Sequence, residues 1–373
     1  MKFLIVTHVN HSLHKGKYYG YAPYIQEMNL WVKYVDEVTV IAPLAAREIS
    51  KIDIPYEHTN LKFHSIPAIQ FTSVSKALAS LFKIPIILWV IFKACRSADY
   101  IHLRCPGNIG LLGCFMQVLF PRKSKSAKYA GNWNPKSKQP WSYRLQKKIL
   151  KNEFLTRNMI TLMYGNSKES SKNIVPFFTA SYWEKEKVDV EKKILEKKIN
   201  LLFVGTVNSN KRPMLSVKVV QQLKQKEHDV VLHIYGDGKE IPKINDYINK
   251  NNLERDIILH GNQDKEVLKK AYQKAHFLVF MSKSEGWPKV VAEAMFWKCL
   301  PISIKVSCVP QMLGFGERGS VVEPNVELIV AEIENYIENE NFYQEKVNKA
   351  CNWSRSYTLD KFENEIKKFL IEA

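Results

Sequence analysis

Residues Phe277 to Ser303 read FLVFMSKSEGWPKVVAEAMFWKCLPIS, and the changes of character along them decide the fold. Phe277 to Met281 is a continuous apolar run of strand length, closed by a polar loop, Ser282 to Gly286. Pro288 suits the start of a helix, because its φ is already fixed and its missing N–H would have no partner there. Val290, Val291, Ala294 and Met295 then recur on one helical stripe, and Leu300 to Ile304 is again apolar and short. Strand, loop, helix, strand is the repeating unit of a parallel sheet. At its turn the first helical N–H groups and the positive end of the helix dipole meet Gly286, where no side chain obstructs approach. An anion such as a diphosphate is expected there.

Two carboxylates flank that turn, Glu285 in the loop and Glu293 on the helix, with seven residues between them. A carboxylate accepts two hydroxyl donors at once, and a glycan or ribose offers them. Taken singly, each has a plain alternative: a loop acid, and a solvated helix acid favoured by the dipole. Taken together in this frame, they point to a sugar-nucleotide site. The run Glu285-Gly286-Trp287-Pro288-Lys289-Val290-Val291-Ala292-Glu293-Ala294-Met295 resembles the E-x7-E signature of retaining glycosyltransferases with the GT-B fold, especially glycosyltransferase family 4. The resemblance implies an α/β chain with two Rossmann-like, doubly wound parallel-sheet domains facing across a cleft. It also implies that Glu285 contacts the donor sugar, Glu293 the ribose, and the backbone of Gly286, Trp287, Pro288, Lys289 and Val290 the diphosphate.

A chain of 373 residues exceeds what one core usually supports, so two domains are expected, and 46% apolar content supplies full cores. The apolar start, Phe3 to Val6, is cut short by Thr7 and His8, which does not read as a secretory leader. The longest apolar run, Ile84 to Phe92, falls short of the ~20 residues a spanning helix needs. A cytoplasmic protein, or one peripheral on the inner face of the cell membrane, is expected. Cys95, Cys105, Cys114, Cys299, Cys308 and Cys351 form no C-x-x-C pair and read as free thiols in a reducing compartment.

The net charge of +18 is unevenly placed. Residues 1–180 hold 25 Lys plus Arg against 9 Asp plus Glu, a net +16, whereas residues 181–373 are close to neutral at +2. Such asymmetry points to an anionic partner, with nucleic acid, a phospholipid surface and a phosphorylated acceptor all qualifying, and a basic surface kept for solubility as the alternative.

In chain order, Met1 to Val9 reads as a buried strand, Pro23 to Tyr34 as a helix and Glu37 to Ala42 as the next strand, a βαβ opening. In the resembling family a glycine-containing loop after the first strand lines the cleft. Gly16 and Gly20 stand in its place, and Gly20 is the acceptor-side candidate. Lys76 to Arg96 reads as a core helix interrupted at Pro85, or as a partly exposed apolar surface resting on lipid. Phe115 to Phe120 is followed by Arg122, Lys123, Lys125 and Lys128, a pairing that an anionic membrane attracts. Asp99 to Leu103 is a strand whose end carries His102 and Arg104. Ligands of open parallel sheets bind at carboxyl ends of strands, so both are cleft candidates, although a lone histidine in an apolar strand is more often a satisfied core residue, the favoured reading for His102. Lys128 to Pro140 lies where family members often carry an acceptor-side histidine. Gly131, Asn132 and Trp133 stand there instead, and Asn132 and Trp133, with Tyr143 and Gln146, suit sugar binding by hydrogen bonds and stacking. The strongly charged stretch Tyr182 to Lys198 marks a linker, which sets the domains at 1–185 and 186–355.

The second half alternates strands at 201–205, 230–235, 257–260, 277–281 and 300–304 with helices near 213–226, 239–252 and 264–275, a doubly wound sheet. After its first strand comes Gly205-Thr206-Val207-Asn208-Ser209-Asn210-Lys211-Arg212-Pro213. Family members place an arginine and then a lysine here to grip the phosphates. Thr206 replaces that arginine, Lys211 fills the lysine role and Arg212 supplies a second cation. Residues 356–373 read as a C-terminal helix that, by the resemblance, crosses back to the first domain.

The expectation is a retaining, hexosyltransferase-type enzyme moving a sugar from a nucleotide-diphosphate donor to a hydroxyl of a glycan or lipid-linked acceptor, in cell-surface polysaccharide biosynthesis. Its catalytic residues would be Glu285, Lys211 and Arg212, and its donor contacts would also include Gly205 and Thr206. No D-x-D pair occurs, so no cofactor and no divalent metal are expected. The rivals are a nucleotide-sugar epimerase on the same fold and, from charge alone, a nucleic-acid-binding protein.

Overall fold

The computed structural model describes residues 1–69, 73–134, 137, 139–165, 171–195 and 198–371, the side chains of 74–77 excepted. Residues 135, 136 and 138 of the Lys128 to Pro140 segment, and 196 and 197 of the charged stretch, lie outside the described residues. The chain forms two compact units. Met1–Phe178 with Glu363–Ala373 make the first, and Thr179–Phe362 the second.

The first unit is built on seven parallel strands: β1 (Lys2–Val6), β2 (Glu37–Ala42), β3 (Leu61–Ser65), β4 (Tyr100–Cys105), β5 (Ser124–Tyr129), β6 (Met159–Tyr164) and β7 (Ile174–Phe177). Their spatial order is β7-β6-β5-β4-β1-β2-β3. Helices α1 (Ala22–Val32), α2 (Val74–Ser97), α3 (Asn108–Met116) and α4 (Trp141–Lys151) make the crossovers. Right-handed crossovers place α1 on one face and α2, α3 and α4 on the other. Side chains alternate accordingly along each strand. Leu4, Val6, Ile101 and Leu103 pack with Ile87 and Ile91 of α2, Ile109 of α3 and Ile149 of α4. Phe3, Tyr100 and His102 instead meet Trp31 of α1.

The second unit is a six-stranded parallel sheet. Its strands are β8 (Ile199–Val204), β9 (Val230–Tyr235), β10 (Ile257–Gly261), β11 (Phe277–Phe280), β12 (Leu300–Ser303) and β13 (Ser320–Val321), in the order β10-β9-β8-β11-β12-β13. Its crossover helices are α5 (Pro213–Gln225), α6 (Ile241–Lys250), α7 (Lys265–Lys274) and α8 (Lys289–Phe296). Helices α9 (Val326–Glu338) and α10 (Glu340–Arg355) follow, then α11 (Leu359–Ile371). From Glu363 onward α11 groups with the first unit, where Glu363 accepts from Lys33 at 2.5 Å and Phe369 meets Phe177 at 5.9 Å. The strand order reverses between β8 and β11, which remain parallel. Such a switch point opens a crevice at the strands' carboxyl ends.

Four local readings differ from those of the sequence. Gly20 is not in a loop: His11–His14 and Lys17–Tyr21 pair as an antiparallel hairpin, joined to Asp53–Pro55, and Gly20 lies in its second strand opposite His11 and Ile54. The cause is local, since Lys15 and Gly16 both take positive φ (47° and 76°), as a two-residue hairpin turn of the primed kind requires. Helix α2 is not interrupted at Pro85, which lies inside it. Nor is it too short to cross a membrane by length and composition, because Leu78–Ser97 averages a hydropathy of 1.9 despite its lysines. Finally, Pro288 is the residue before the helix rather than its first member.

Two glycines on β9's exit hold neighbouring loops at contact distance. A Cβ on Gly236 would overlap the Gly205 carbonyl oxygen, and one on Gly238 would overlap that of Val207. The amides of Gly205 and Val207 in turn donate to Tyr235 and Asp237 carbonyls at 2.9 Å. Gly236→Ala should therefore destabilise the second unit by about 2 kcal/mol or more in chemical denaturation. Gly261→Ala, with positive φ but open space around it, should cost about 1 kcal/mol.

Candidate functional site

In the second unit the switch point brings two loops together. The loop from β8 to α5 carries Gly205 to Arg212, and the loop from β11 to α8 carries Met281 to Pro288. They are sewn together by backbone and side chain: Lys283 N–H donates to the Asn210 carbonyl at 2.8 Å, and Asn210 Nδ2 to the Ser284 carbonyl at 3.2 Å. Within this seam Lys211 Nζ lies 2.5 Å from Glu285 Oε1, both side chains largely buried. Ser282 Oγ donates to the same carboxylate oxygen, and the Phe280 ring lies 5.3 Å below the ammonium. Asn208 fixes the Lys211 amide with its carbonyl and its Oδ1, each at 3.1 Å. Lys211 and Glu285, widely separated in sequence, are thus one structural feature.

Arg212 precedes α5 in the left-handed region (φ 51°), and its Nη1 is buried without a hydrogen-bond partner. That is a cation with donor capacity unspent in a half-buried place. No side chain caps α8, so the positive end of its dipole lies next to Gly286, with the Val291 amide donating to the Pro288 carbonyl at 3.0 Å. The Gly286 carbonyl is itself held by Ser307 Oγ at 2.7 Å, so the loop's backbone is anchored. Gly205, Thr206, Lys211, Arg212, Glu285, Gly286, Trp287 and Pro288 therefore line the two adjoining loops, and Lys289 and Val290 open the helix. This arrangement can bind a doubly charged anion.

Glu293 has other company. Its Oε1 accepts from Ser181 Oγ at 2.5 Å and its Oε2 from Tyr272 Oη at 3.1 Å. It lines a shallow pocket with Thr179, Tyr182, Lys289, Phe296 and Tyr357. Burial, reinforced by the Glu293 charge, raises the Tyr272 phenol well above its ordinary range, so it remains a donor. Glu293 accepts two hydroxyls, the number a ribose diol would offer, and both come from the protein.

The acceptor-side candidates scatter. His102 lies in the core of the first unit, fully buried, with Nδ1 2.8 Å from Ser126 Oγ and its ring 4.8 Å from Trp31. Trp133 is also buried, edge-on to Tyr129 at 4.9 Å, so it offers no free face for a sugar. Asn132 is spent on its own turn, accepting from the Asn134 amide at 3.0 Å. Gln146 is buried and accepts from the Gly107 amide at 3.2 Å. Gly20 belongs to the hairpin. Arg104 alone lies at a carboxyl end among charged partners that sequence reading missed. Lys128 Nζ lies 2.8 Å, and Arg104 Nη1 3.7 Å, from Glu27 Oε2, and all three side chains are largely buried. The Arg104 guanidinium covers Tyr24 at 5.4 Å. His8, at the end of β1, keeps exposed area, yet desolvation and the Arg104 charge hold it down to about 4. One signal was available: Glu27 is an acid at a core position of the stripe Tyr24, Met28 and Trp31.

Glu27→Gln leaves Lys128 buried without its carboxylate and should cost about 3 to 5 kcal/mol, whereas Lys128→Met with Glu27→Leu should recover most of that loss. His11, His102 and His276 are lowered from 6.5 to about 4, 3 and 4, each chiefly by burial. The unfolded chain then binds more protons than the folded one below pH 6.5. Stability should fall as pH drops from 6.5 toward 4, and His102→Gln should flatten that slope in denaturation midpoints.

Comparison with known proteins agrees with this reading. Residues 184–353 match the family described as Glycosyl transferases group 1. A 181-residue stretch is 25% identical to GalNAc-alpha-(1->4)-GalNAc-alpha-(1->3)-diNAcBac-PP-undecaprenol alpha-1,4-N-acetyl-D-galactosaminyltransferase of Campylobacter jejuni, covering 48% of this chain and 49% of that one. The match therefore spans about half of that relative's length. Among solved structures, sucrose-phosphate synthase of Thermosynechococcus elongatus superposes with a TM-score of 0.71 at 13% identity, covering 100% of this chain and 98% of its own. HepE of Anabaena, solved with UDP and glucose, gives 0.71 at 12% identity, covering 100% of both chains. These likenesses establish the architecture: the chain has the GT-B fold of glycosyltransferases, and residues 184–353 are similar to the glycosyl transferases group 1.

Proposed function

We propose that this chain is a retaining glycosyltransferase that moves a hexosyl group from a nucleotide-diphosphate sugar to a hydroxyl of a glycan or lipid-linked acceptor, in the assembly of cell-surface polysaccharide. The observation that carries the reading is the Lys211–Glu285 pair, seated where two loops meet at the carboxyl ends of β8 and β11. A diphosphate arriving there would take Lys211, the unspent Nη1 of Arg212 and the first amides of α8. Glu285, released from part of its hold on Lys211, would accept hydroxyls of the donor sugar. Glu293 would accept the ribose diol in exchange for Ser181 and Tyr272. As the anomeric bond breaks, negative charge grows on the departing diphosphate, and fixed cations and amides aimed at it lower the barrier. Two cations suffice for that neutralisation, so the transfer is proposed to be metal-independent. HepE, by its description, binds UDP and glucose, and the Campylobacter relative is named for an undecaprenol diphosphate acceptor, which favours a donor and an acceptor of these classes. The reaction is placed on the cytoplasmic side.

The test is a thermal-shift panel of nucleotide sugars. A donor at about a hundredfold over its Kd should stabilise the wild type by ~2.7 kcal/mol. Lys211→Ala should abolish the shift and lower kcat/KM by a factor of about 100 to 1000, the range for loss of one group that stabilises transition-state charge. Glu293→Ala should weaken donor binding about tenfold. No shift with any nucleotide sugar would overturn the reading. Conversion of the donor to a sugar isomer without acceptor would assign the site to epimerisation instead.

A further inference from the structure

Helix α2 carries two opposite faces. Ile87, Ile91 and Cys95 are completely buried against β1 and β4 side chains. On the other side Leu78, Leu81, Phe82, Ile86 and Trp89 are exposed by 53%, 54%, 81%, 62% and 58%. Their spacing, with Pro85 between them and Lys93 and Arg96 continuing the line, follows one side of a single helix. Large apolar side chains in such a row are not the scattered singles of an ordinary surface.

The charge around this row is one-sided. Residues 58–152, which contain α2, α3 and α4, hold 16 Lys plus Arg and a single acid, Asp99. Helix α2 itself has no Asp or Glu. Lys93 Nζ lies 5.0 Å over the Trp89 ring, and exposed Arg96 continues the line. Beyond the helix end, Phe92 meets Phe120 at 5.5 Å, and Leu119 and Arg122 beside it are exposed. An apolar row with a cationic border matches the acyl boundary and anionic headgroups of a bilayer at the same time.

We propose that the exposed face of α2 lies in the surface of an anionic lipid bilayer, with Phe82, Ile86 and Trp89 inserted and Lys93, Arg96 and Arg122 on the headgroups. The helix lies on the bilayer and does not span it, because spanning would pull Ile87, Ile91 and Cys95 out of the core. A second copy of the chain is the poorer occupant, since two such faces would bring like charges together. The inference goes beyond the transfer chemistry proposed above: it gives a lipid-linked acceptor a place to be presented, and its test needs neither donor nor acceptor.

The experiment is co-sedimentation of the full chain with vesicles of equal parts phosphatidylglycerol and phosphatidylcholine, against phosphatidylcholine alone. Binding to the anionic vesicles should be at least about tenfold tighter and should weaken with salt. Phe82→Ser combined with Trp89→Ser should reduce it to background, and Lys93→Glu with Arg96→Glu should lower it about tenfold. All four positions are exposed, and unchanged thermal melting would show that the variants are folded. Equal binding to both vesicle types, or binding unaffected by the Phe82 and Trp89 changes, would overturn the proposal. So would a wild-type dimer that the same two changes convert to a monomer, which would assign the face to a second copy.

Discussion

The Lys211–Glu285 contact is what the second unit's site depends on. Each group comes from a different loop, and each is largely withdrawn from water, so each offsets part of the other's desolvation. The pair therefore does two things at once. It holds the β8 and β11 loops in register, and it stores a cation and a carboxylate at the place where a dipole, an unpaired guanidinium and uncapped amides already converge. Glycines 236 and 238 are a precondition, because any side chain there would push the β9 exit away from the Gly205 loop.

The first unit repeats the theme with a different balance. Glu27 on α1 takes Lys128 and faces Arg104, both arriving from strand ends, so one acid sits between two cations. The cluster keeps a net positive charge under Tyr24 and beside His8. The low pKa of His8 follows from that charge together with desolvation, and leaves its imidazole neutral at ordinary pH. A neutral imidazole next to a fixed cation is a hydrogen-bonding group rather than a charge.

Strand and helix order was readable throughout, because buried parallel strands appear as short apolar runs and crossover helices as periodic ones. The strand, loop, helix and strand around the Glu285 to Met295 run were readable too, since their pattern is local. What escaped was whatever depended on partners distant in sequence. His102 stands near a strand end, and alternation along β4 turns it beneath Trp31, the core role that a lone histidine in an apolar strand favours. Trp133 looks like a stacking platform until Tyr129 covers it. Gly20 looked like a loop glycine because the Lys15-Gly16 turn before it was not recognised as a hairpin turn. Glu293 reads as a ribose contact, and its protein partners Ser181 and Tyr272 reach it from segments that periodicity does not connect.

Helix α2 illustrates the deeper ambiguity. An apolar helix with spaced lysines gives the same sequence signal whether its second face meets protein or lipid, so only burial in the folded chain separates the two. The positive excess of this region needs the same discrimination. Lys125 is buried, donates to the Gln117 and Phe120 carbonyls, and is lowered to about 8 by that burial. Lys128 is spent on Glu27, and Lys147 is buried against the Trp133 carbonyl. These lysines satisfy the fold's own acceptors and contribute little to an outer surface. Lys93, Arg96 and Arg122 remain exposed with the apolar row. A surface that is apolar at its centre and cationic at its border resists pairing with itself and favours an anionic plane. The same arrangement lets a sticky helix face persist in solution without joining copies of the chain.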